Sequence, residues 1–243
     1  MDVPPERGSK DGRYAFPENN GITFRQLIAN TSGYMKPGEP PGGKFHYQTF
    51  GMNILCHAVA ANCNLYKTAN PIGSPGIGQF IEKRIPDPID GSWSHETSNF
   101  DLRPGAAVEI FGYQTFLLST ARDMARMGLL WLNFGSWNGL QVVPAEWLEE
   151  ATKVSDMVKL HEPPESRQYG LGFWCNDERG CWPDLPRDSF AAIGAGNQLI
   201  WVCPPEDLIV VQSPGTQSGE QPTIVAYSEA PRRVLAALAV GVA

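Results

Sequence analysis

The sequence predicts an α+β fold in which helices flank an antiparallel sheet. Apolar residues at helical spacing dominate the first 160 residues, whereas short β-rich runs separated by Gly, Pro and Asp follow from about Gln168. A last helical pattern covers 229–240. Helices, then closely spaced strands, then a closing helix are typical of α+β proteins. We therefore expect a mostly helical region over 1–160 and a strand region with a closing helix over 161–243, within one structural unit.

The first half of the chain begins with a clear helix signal. Thr23-Phe-Arg-Gln26 is a capping box, which predicts a helix over 23–32 that closes at Gly33. An apolar stripe predicts a second helix over 52–64. Residues 68–115 are interrupted by prolines and are interpreted as loops, with one short helix near Gly78–Lys83.

The strongest helix pattern follows at 119–134, where Thr120 is the N-cap and the apolar side chains keep helical spacing. Asn138-Gly139 predicts a tight turn before Leu140–Val143. Pro144 then opens a helix over 144–152, because proline fits the first helical turn. Four predicted strands make up an antiparallel meander: Tyr169–Trp174, Ser189–Ala192, Leu199–Val202 and Leu208–Gln212.

Composition excludes several classes of function. The net charge of −7, without a basic cluster, argues against a nucleic-acid partner. No apolar run reaches the length of a membrane span, and no signal peptide is visible. The sequence as it stands would be cytoplasmic, but the compartment is left open. The histidines lack metal-ligand spacing, and no metal or cofactor is expected.

The chain contains 5 cysteines, an odd number that cannot all pair. Cys175 and Cys181 flank a turn-like loop and could form a disulfide in an oxidising compartment. Reduced, scattered cysteines are the favoured alternative.

Tyr47 is the first candidate for chemistry. It follows a Pro/Gly loop at the edge of a predicted helix, where it is either a structural aromatic or a catalytic base. No Gly-x-Ser-x-Gly motif occurs, which disfavours a hydrolase with that type of nucleophile turn.

Four segments of the chain carry a recognisable pattern: Thr23–Gly33, Phe45–Leu55, Ser119–Leu130 with the Trp137-Asn-Gly and Pro144-Ala-Glu-Trp that follow, and Phe190–Val202 with Asp207–Gln212. They resemble serine β-lactamase-like and penicillin-binding-protein-like hydrolases, in the order in which that family has them, and the match extends from about residue 20 to residue 235. The branch most resembled includes class C β-lactamases, family VIII esterases, D-alanyl-D-alanine peptidase-like proteins and 6-aminohexanoate-dimer hydrolases.

The resemblance implies a β-lactamase/DD-peptidase-like fold and a set of site residues. Tyr47 matches the tyrosine of the family's Tyr-x-Asn motif, which helps to activate a serine. Thr49 stands at the asparagine position, and its hydroxyl can replace only some of the amide's hydrogen bonds. The third-motif strand, Gly194-Ala195-Gly196-Asn197-Gln198, has no side-chain cation but retains backbone donors for half of an oxyanion hole. Tyr47 and this strand are expected to line one cleft that binds a small ester or amide.

The family's Ser-x-x-Lys nucleophile is not found, because no serine here has lysine three residues later. Residues 1–20 are too short and polar for the helix that carries it. We therefore expect a truncated or degenerate hydrolase without acyl-enzyme catalysis of its own. Two alternatives remain open: an active esterase or amidase whose Ser-x-x-Lys lies outside this sequence, and a non-catalytic ligand-binding or interaction module.

The absent segment has a structural consequence as well. It would leave a strand edge uncovered, and exposed strand edges favour pairing with another chain. The resemblance therefore implies a homo-oligomer, or a complementary segment that covers the open sheet.

Overall fold

The computed structural model describes residues 21–34, 38–65, 76–99, 113–214 and 223–241. The chain divides into two compact units. The first unit contains the described residues within 1–87 and 93–118, and the second contains those within 88–92 and 119–243. The predicted boundary at residue 160 separates a mostly helical region from a strand region rather than two compact units, and it stays a prediction.

The α-helices and β-strands are numbered in chain order. The helices are α1 (Phe24–Ile28), α2 (Thr49–Asn62), α3 (Gly76–Glu82), α4 (Ala121–Leu132), α5 (Ala145–Ala151), α6 (Asp156–His161) and α7 (Glu229–Gly241). The strands are β1 (Ser94–Asn99), β2 (Tyr113–Leu118), β3 (Ser136–Trp137), β4 (Leu140–Gln141), β5 (Trp174–Cys175), β6 (Phe190–Gly194), β7 (Gln198–Cys203) and β8 (Leu208–Gln212).

The predicted α+β class is confirmed. A four-stranded antiparallel sheet with the order β5-β6-β7-β8 forms from the second half of the chain, and α7 follows it in the sequence. The predicted turn at Asn138-Gly139 joins β3 to β4, and both residues adopt the left-handed backbone that such a turn requires. Of the first predicted strand, 169–174, only Trp174 lies in a strand, β5, and Tyr169 forms an isolated bridge with it.

The interpretation of 68–115 as loops is wrong in part. β1 and β2 pair antiparallel over six residues each. The short helix predicted near Gly78–Lys83 is α3. Residues 83–93 form turns and a short 3-10 helix (Asp87–Ile89), whereas 66–75 and 100–112 lie outside the described residues. Helix α6 and the paired strand β3 were not predicted either.

In the first unit, α1 begins with the predicted capping box. The Thr23 hydroxyl accepts the Gln26 N–H at 3.2 Å, and the Gln26 side chain accepts the Thr23 N–H at 2.8 Å. The helix ends sooner than predicted because Asn30, with φ 56°, turns the chain. Leu27 then packs against Tyr34 and Ile54.

In the second unit, the sheet buries both faces because successive residues of a strand point to opposite sides. Leu199 and Trp201 lie on one side in a cluster with Tyr227. Ile200 and Val202 lie on the other side, where α4 contributes Met124, Met127 and Trp131. Among the described strands, β5 and β8 form the sheet edges. No helix in the described ranges is long and apolar enough to cross a membrane.

Candidate functional site

The segment that carries Tyr47 is fixed to the end of α1. The His46 N–H donates to the Asn30 carbonyl at 2.8 Å, and the Gln48 N–H donates to Asn30 Oδ1 at 3.0 Å. The Gln48 side-chain amide also donates to the Tyr34 carbonyl at 3.1 Å. Since the residues on both sides of Tyr47 are anchored, its backbone is held in place without a regular element.

The Tyr47 side chain is 52% exposed, so it is not a buried core aromatic. Partial burial nevertheless raises the pKa of its phenol above the usual value. The hydroxyl therefore stays protonated at neutral pH, and it needs a nearby cation before it can act as a base. Thr49 is the first residue of α2, and its side chain lies outside the described part of the structure.

Two basic side chains near Tyr47 in sequence are already engaged by one carboxylate. His46 Nδ1 lies 3.0 Å from Glu39 Oε2, and Lys44 Nζ lies 3.9 Å from Glu39 Oε1. Their interaction with Glu39 reduces the positive potential that either could offer a tyrosinate.

The candidate oxyanion strand forms the hairpin between β6 and β7. Gly194 pairs with Gln198, and residues 195–197 make the turn. Gly196 (φ 76°) and Asn197 (φ 63°) are both left-handed. Two glutamines hold the turn: Gln212 Nε2 donates to the Asn197 carbonyl at 3.1 Å, and Gln198 Nε2 to the Gly196 carbonyl at 3.4 Å. The hairpin carries no charged side chain, so only neutral donors, namely backbone N–H groups and side-chain amides, could stabilise an oxyanion there.

Tyr47 belongs to the first unit and the 194–198 hairpin to the second. That the two line one cleft stays a prediction. In the described residues, no group of three His, Cys, Asp or Glu side chains is placed to hold a metal ion.

Cys175 and Cys181 are both free thiols. The Cys175 thiol donates to the Phe173 carbonyl at 3.4 Å, and the Cys181 thiol donates to the Gln168 carbonyl at 3.2 Å. Burial raises the pKa of both thiols, so neither is an activated nucleophile.

Sequence reasoning missed a cleft that contains Phe134, Lys153 and Asp188. Its lining comes from separate segments, and of its residues only Phe190 belongs to a segment that resembles the family. The one available signal was Phe134 itself, an aromatic residue directly before Gly135 at the end of a predicted helix.

Comparisons with known proteins identify relatives of the chain. A family model described as Beta-lactamase matches residues 4–213. A solved structure from Bacteroides dorei, described as a "putative beta-lactamase", aligns with a TM-score of 0.55 and 15% identity over 89% of this chain and 73% of its own. A β-lactamase from Mycobacterium bovis aligns with a TM-score of 0.53 and 22% identity over 79% of this chain and 65% of its own.

Simvastatin synthase from Aspergillus terreus aligns with a TM-score of 0.50 and 15% identity over 78% of this chain and 61% of its own. At these identities the structural likeness establishes the fold alone. The chain spans less than two thirds of the last two proteins. No functionally curated protein sequence matches it.

Proposed function

Because this chain belongs to the β-lactamase family, whose model matches residues 4–213, we propose that it is a β-lactamase-like serine-hydrolase relative that binds a small ester or amide without forming an acyl-enzyme by itself. One observation carries the proposal: among the 243 residues, no serine is followed three positions later by lysine. In a helix that spacing places both side chains on one face, where the amine can take the hydroxyl proton.

The serines inside the matched segments do not replace that nucleophile. Ser32 is 1% exposed, and its hydroxyl accepts the Tyr34 N–H at 3.2 Å, so it is occupied in a turn. Ser119 is exposed and has Arg122 three residues later. A guanidinium stays protonated in proteins and cannot act as the base that lysine provides.

The features that persist favour binding. The 194–198 hairpin is held by Gln198 and Gln212, and Tyr47 offers a protonated hydroxyl on an anchored segment. Backbone N–H groups and a phenol are donors that suit the carbonyl of an ester or amide.

The test combines labelling with binding. Purified protein should give no stoichiometric adduct in intact mass after treatment with a serine-directed phosphonate. It should hydrolyse nitrocefin or a chromogenic short-chain ester only at a background rate that Tyr47→Phe does not change. An unhydrolysed amide, 4-nitroacetanilide, should bind saturably, and Tyr47→Phe should weaken that binding about threefold, the effect of one neutral hydrogen bond.

An adduct on a single serine that the change to alanine abolishes would overturn the proposal. The absence of saturable amide binding would contradict the proposal that the chain binds a small ester or amide. The alternative, an active esterase or amidase whose nucleophile is encoded elsewhere, is distinguished by the genomic sequence upstream, where an in-frame Ser-x-x-Lys would favour it.

A further inference from the structure

A cleft of about 350 Å³ lies in the second unit, away from the 194–198 hairpin. Phe190, which lines the cleft, is the first residue of β6, whereas the hairpin follows Gly194 at the other end of that strand. Each strand residue advances about 3.3 Å, so roughly 13 Å of strand separates the two places. The cleft volume is near the lower limit for small-molecule sites, which suits a ligand of amino-acid size.

The cleft has an apolar lining made by Phe134, Phe190 and Pro204. Phe190 is 3% exposed and belongs to the sheet core, whereas Phe134 is 41% exposed. An apolar ligand group that covers the Phe134 ring would remove the exposed part of that ring from water, which is favourable.

Three charged side chains share the cleft: Glu149, Lys153 and Asp188. Within the described ranges, none of the three makes an ion pair. Glu149 and Lys153 have the spacing of a helical ion pair, but α5 ends at Ala151, so Lys153 has left the helical path. The cleft therefore presents one uncompensated cation and two uncompensated carboxylates beside an apolar lining.

The backbone at Phe134 is a second, independent observation. The Gly135 N–H donates to the Leu130 carbonyl at 2.7 Å, and the Phe134 N–H to the Trp131 carbonyl at 3.1 Å. This is a Schellman motif with Phe134 in the position that usually carries glycine. Phe134 accordingly has φ 46°, which is unfavourable for a bulky side chain. Glycine would satisfy the turn better, so the aromatic ring is not explained by the helix end.

We propose that this cleft binds a small zwitterion with an apolar side chain, such as a free amino acid or a short peptide. The Lys153 ammonium receives the ligand carboxylate, Asp188 and Glu149 receive its amino group, and Phe134 contacts its side chain. The proposal does not depend on the proposed function, because none of its residues belongs to the candidate site formed by Tyr47 and the 194–198 hairpin.

The test uses three ligands: L-phenylalanine, N-acetyl-L-phenylalanine, which lacks the cation, and L-phenylalaninamide, which lacks the anion. NMR titrations are run at slightly acidic pH, where the free amino groups are protonated. L-Phenylalanine should bind with a dissociation constant on the order of millimolar, as expected for a ligand of its size. Each capped analogue should bind about fivefold more weakly.

Variants assign each charge to one end of the ligand. Lys153→Met should weaken L-phenylalanine and N-acetyl-L-phenylalanine about fivefold and leave L-phenylalaninamide unchanged. Asp188→Asn, which tolerates the same left-handed backbone (φ 69°), should weaken the two amine-bearing ligands only. Lys83→Met, an exposed lysine of the first unit, is the matched control and should change nothing.

Phe134→Gly separates binding from folding. It should abolish measurable binding while shifting the melting temperature by only a few degrees, because relief of the left-handed backbone offsets the lost ring contacts. Phe134→Leu should retain part of the affinity. Absence of a saturable shift with L-phenylalanine at tens of millimolar would overturn the proposal. Equal effects of Lys153→Met on all three ligands would overturn it too.

Discussion

The Ser92 N–H donates a 3.2 Å hydrogen bond to Oδ1 of Asp123, which lies 31 positions later in the chain. The same carboxylate accepts the Thr120 hydroxyl at 2.6 Å and the Arg126 guanidinium at 2.7 Å. Asp123 is only 3% exposed. One carboxylate thus fixes the short 88–92 segment to the start of α4, and α4 covers one face of the sheet.

Asp123→Asn should lower the free energy of unfolding by about 2–3 kcal/mol, because an amide cannot satisfy the Ser92 N–H, the Thr120 hydroxyl and Arg126 together. Urea unfolding measures this change. Asp156→Asn is the control, since the Asp156 carboxylate is fully exposed on α6. A cost below about 0.5 kcal/mol for Asp123→Asn would contradict the assigned role.

The pH dependence of stability follows from the same group. The Thr120 hydroxyl, followed by the Ser92 N–H and Arg126, holds the pKa of Asp123 below its usual value, against the opposing effect of burial. The unfolded chain therefore binds this proton more tightly than the folded chain does. The stabilisation is fully present above about pH 4, the unfolded pKa, and is lost as the pH falls through the lower folded pKa.

Urea midpoints measured from pH 6 to pH 2 should thus fall more steeply for the wild type than for Asp123→Asn below about pH 4. Parallel curves for the two proteins would show that Asp123 does not titrate with a lowered pKa.

The elements that the sequence predicted well are those whose signals are local. Thr23 and Thr120 cap helices by accepting the backbone N–H three positions later, so the amino-acid sequence alone identifies both caps. β1 was missed because Ser94-His-Glu-Thr-Ser-Asn99 lacks apolar alternation. β1 is a strand because it pairs with β2, and this pairing depends on the fold rather than on the residue pattern of β1.

The same distinction applies to the candidate sites. Tyr47 and the 194–198 hairpin are recognisable because each lies in a continuous motif. The cleft at Phe134 combines side chains from separate segments, and its unusual feature is a backbone angle. Neither spacing nor composition encodes that angle, so sequence reasoning counted Phe134 as an ordinary residue of a helical stripe.

Asn176→Ala should lower the free energy of unfolding by about 2–4 kcal/mol. The Asn176 side chain is fully buried. Its Oδ1 accepts the Trp182 N–H at 2.8 Å, and its Nδ2 donates to the carbonyls of Trp182 at 2.9 Å and Pro186 at 3.2 Å. Truncation leaves these backbone groups buried without partners. Thermal or urea unfolding tests this, with the exposed Asn133→Ala as control, which should cost less than about 0.5 kcal/mol.

Gly128→Ala should destabilise the protein, although alanine is the better helix former. Gly128 lies inside α4, where helix propensity alone predicts a gain of about 1 kcal/mol. A Cβ at this position would lie 2.7 Å from Ile209 Cγ2 and 3.0 Å from Ile200 Cγ2. Both atoms belong to β-branched side chains in the sheet core, which can move little, so overpacking should cost about 1–3 kcal/mol and exceed the gain. Gly21→Ala is the control for the added methyl group, because no atom of the described residues lies within 4 Å of its added Cβ. Equal or higher stability of Gly128→Ala in urea unfolding would show that α4 can move away from β7 and β8 without loss, and that the close approach is not needed for the fold.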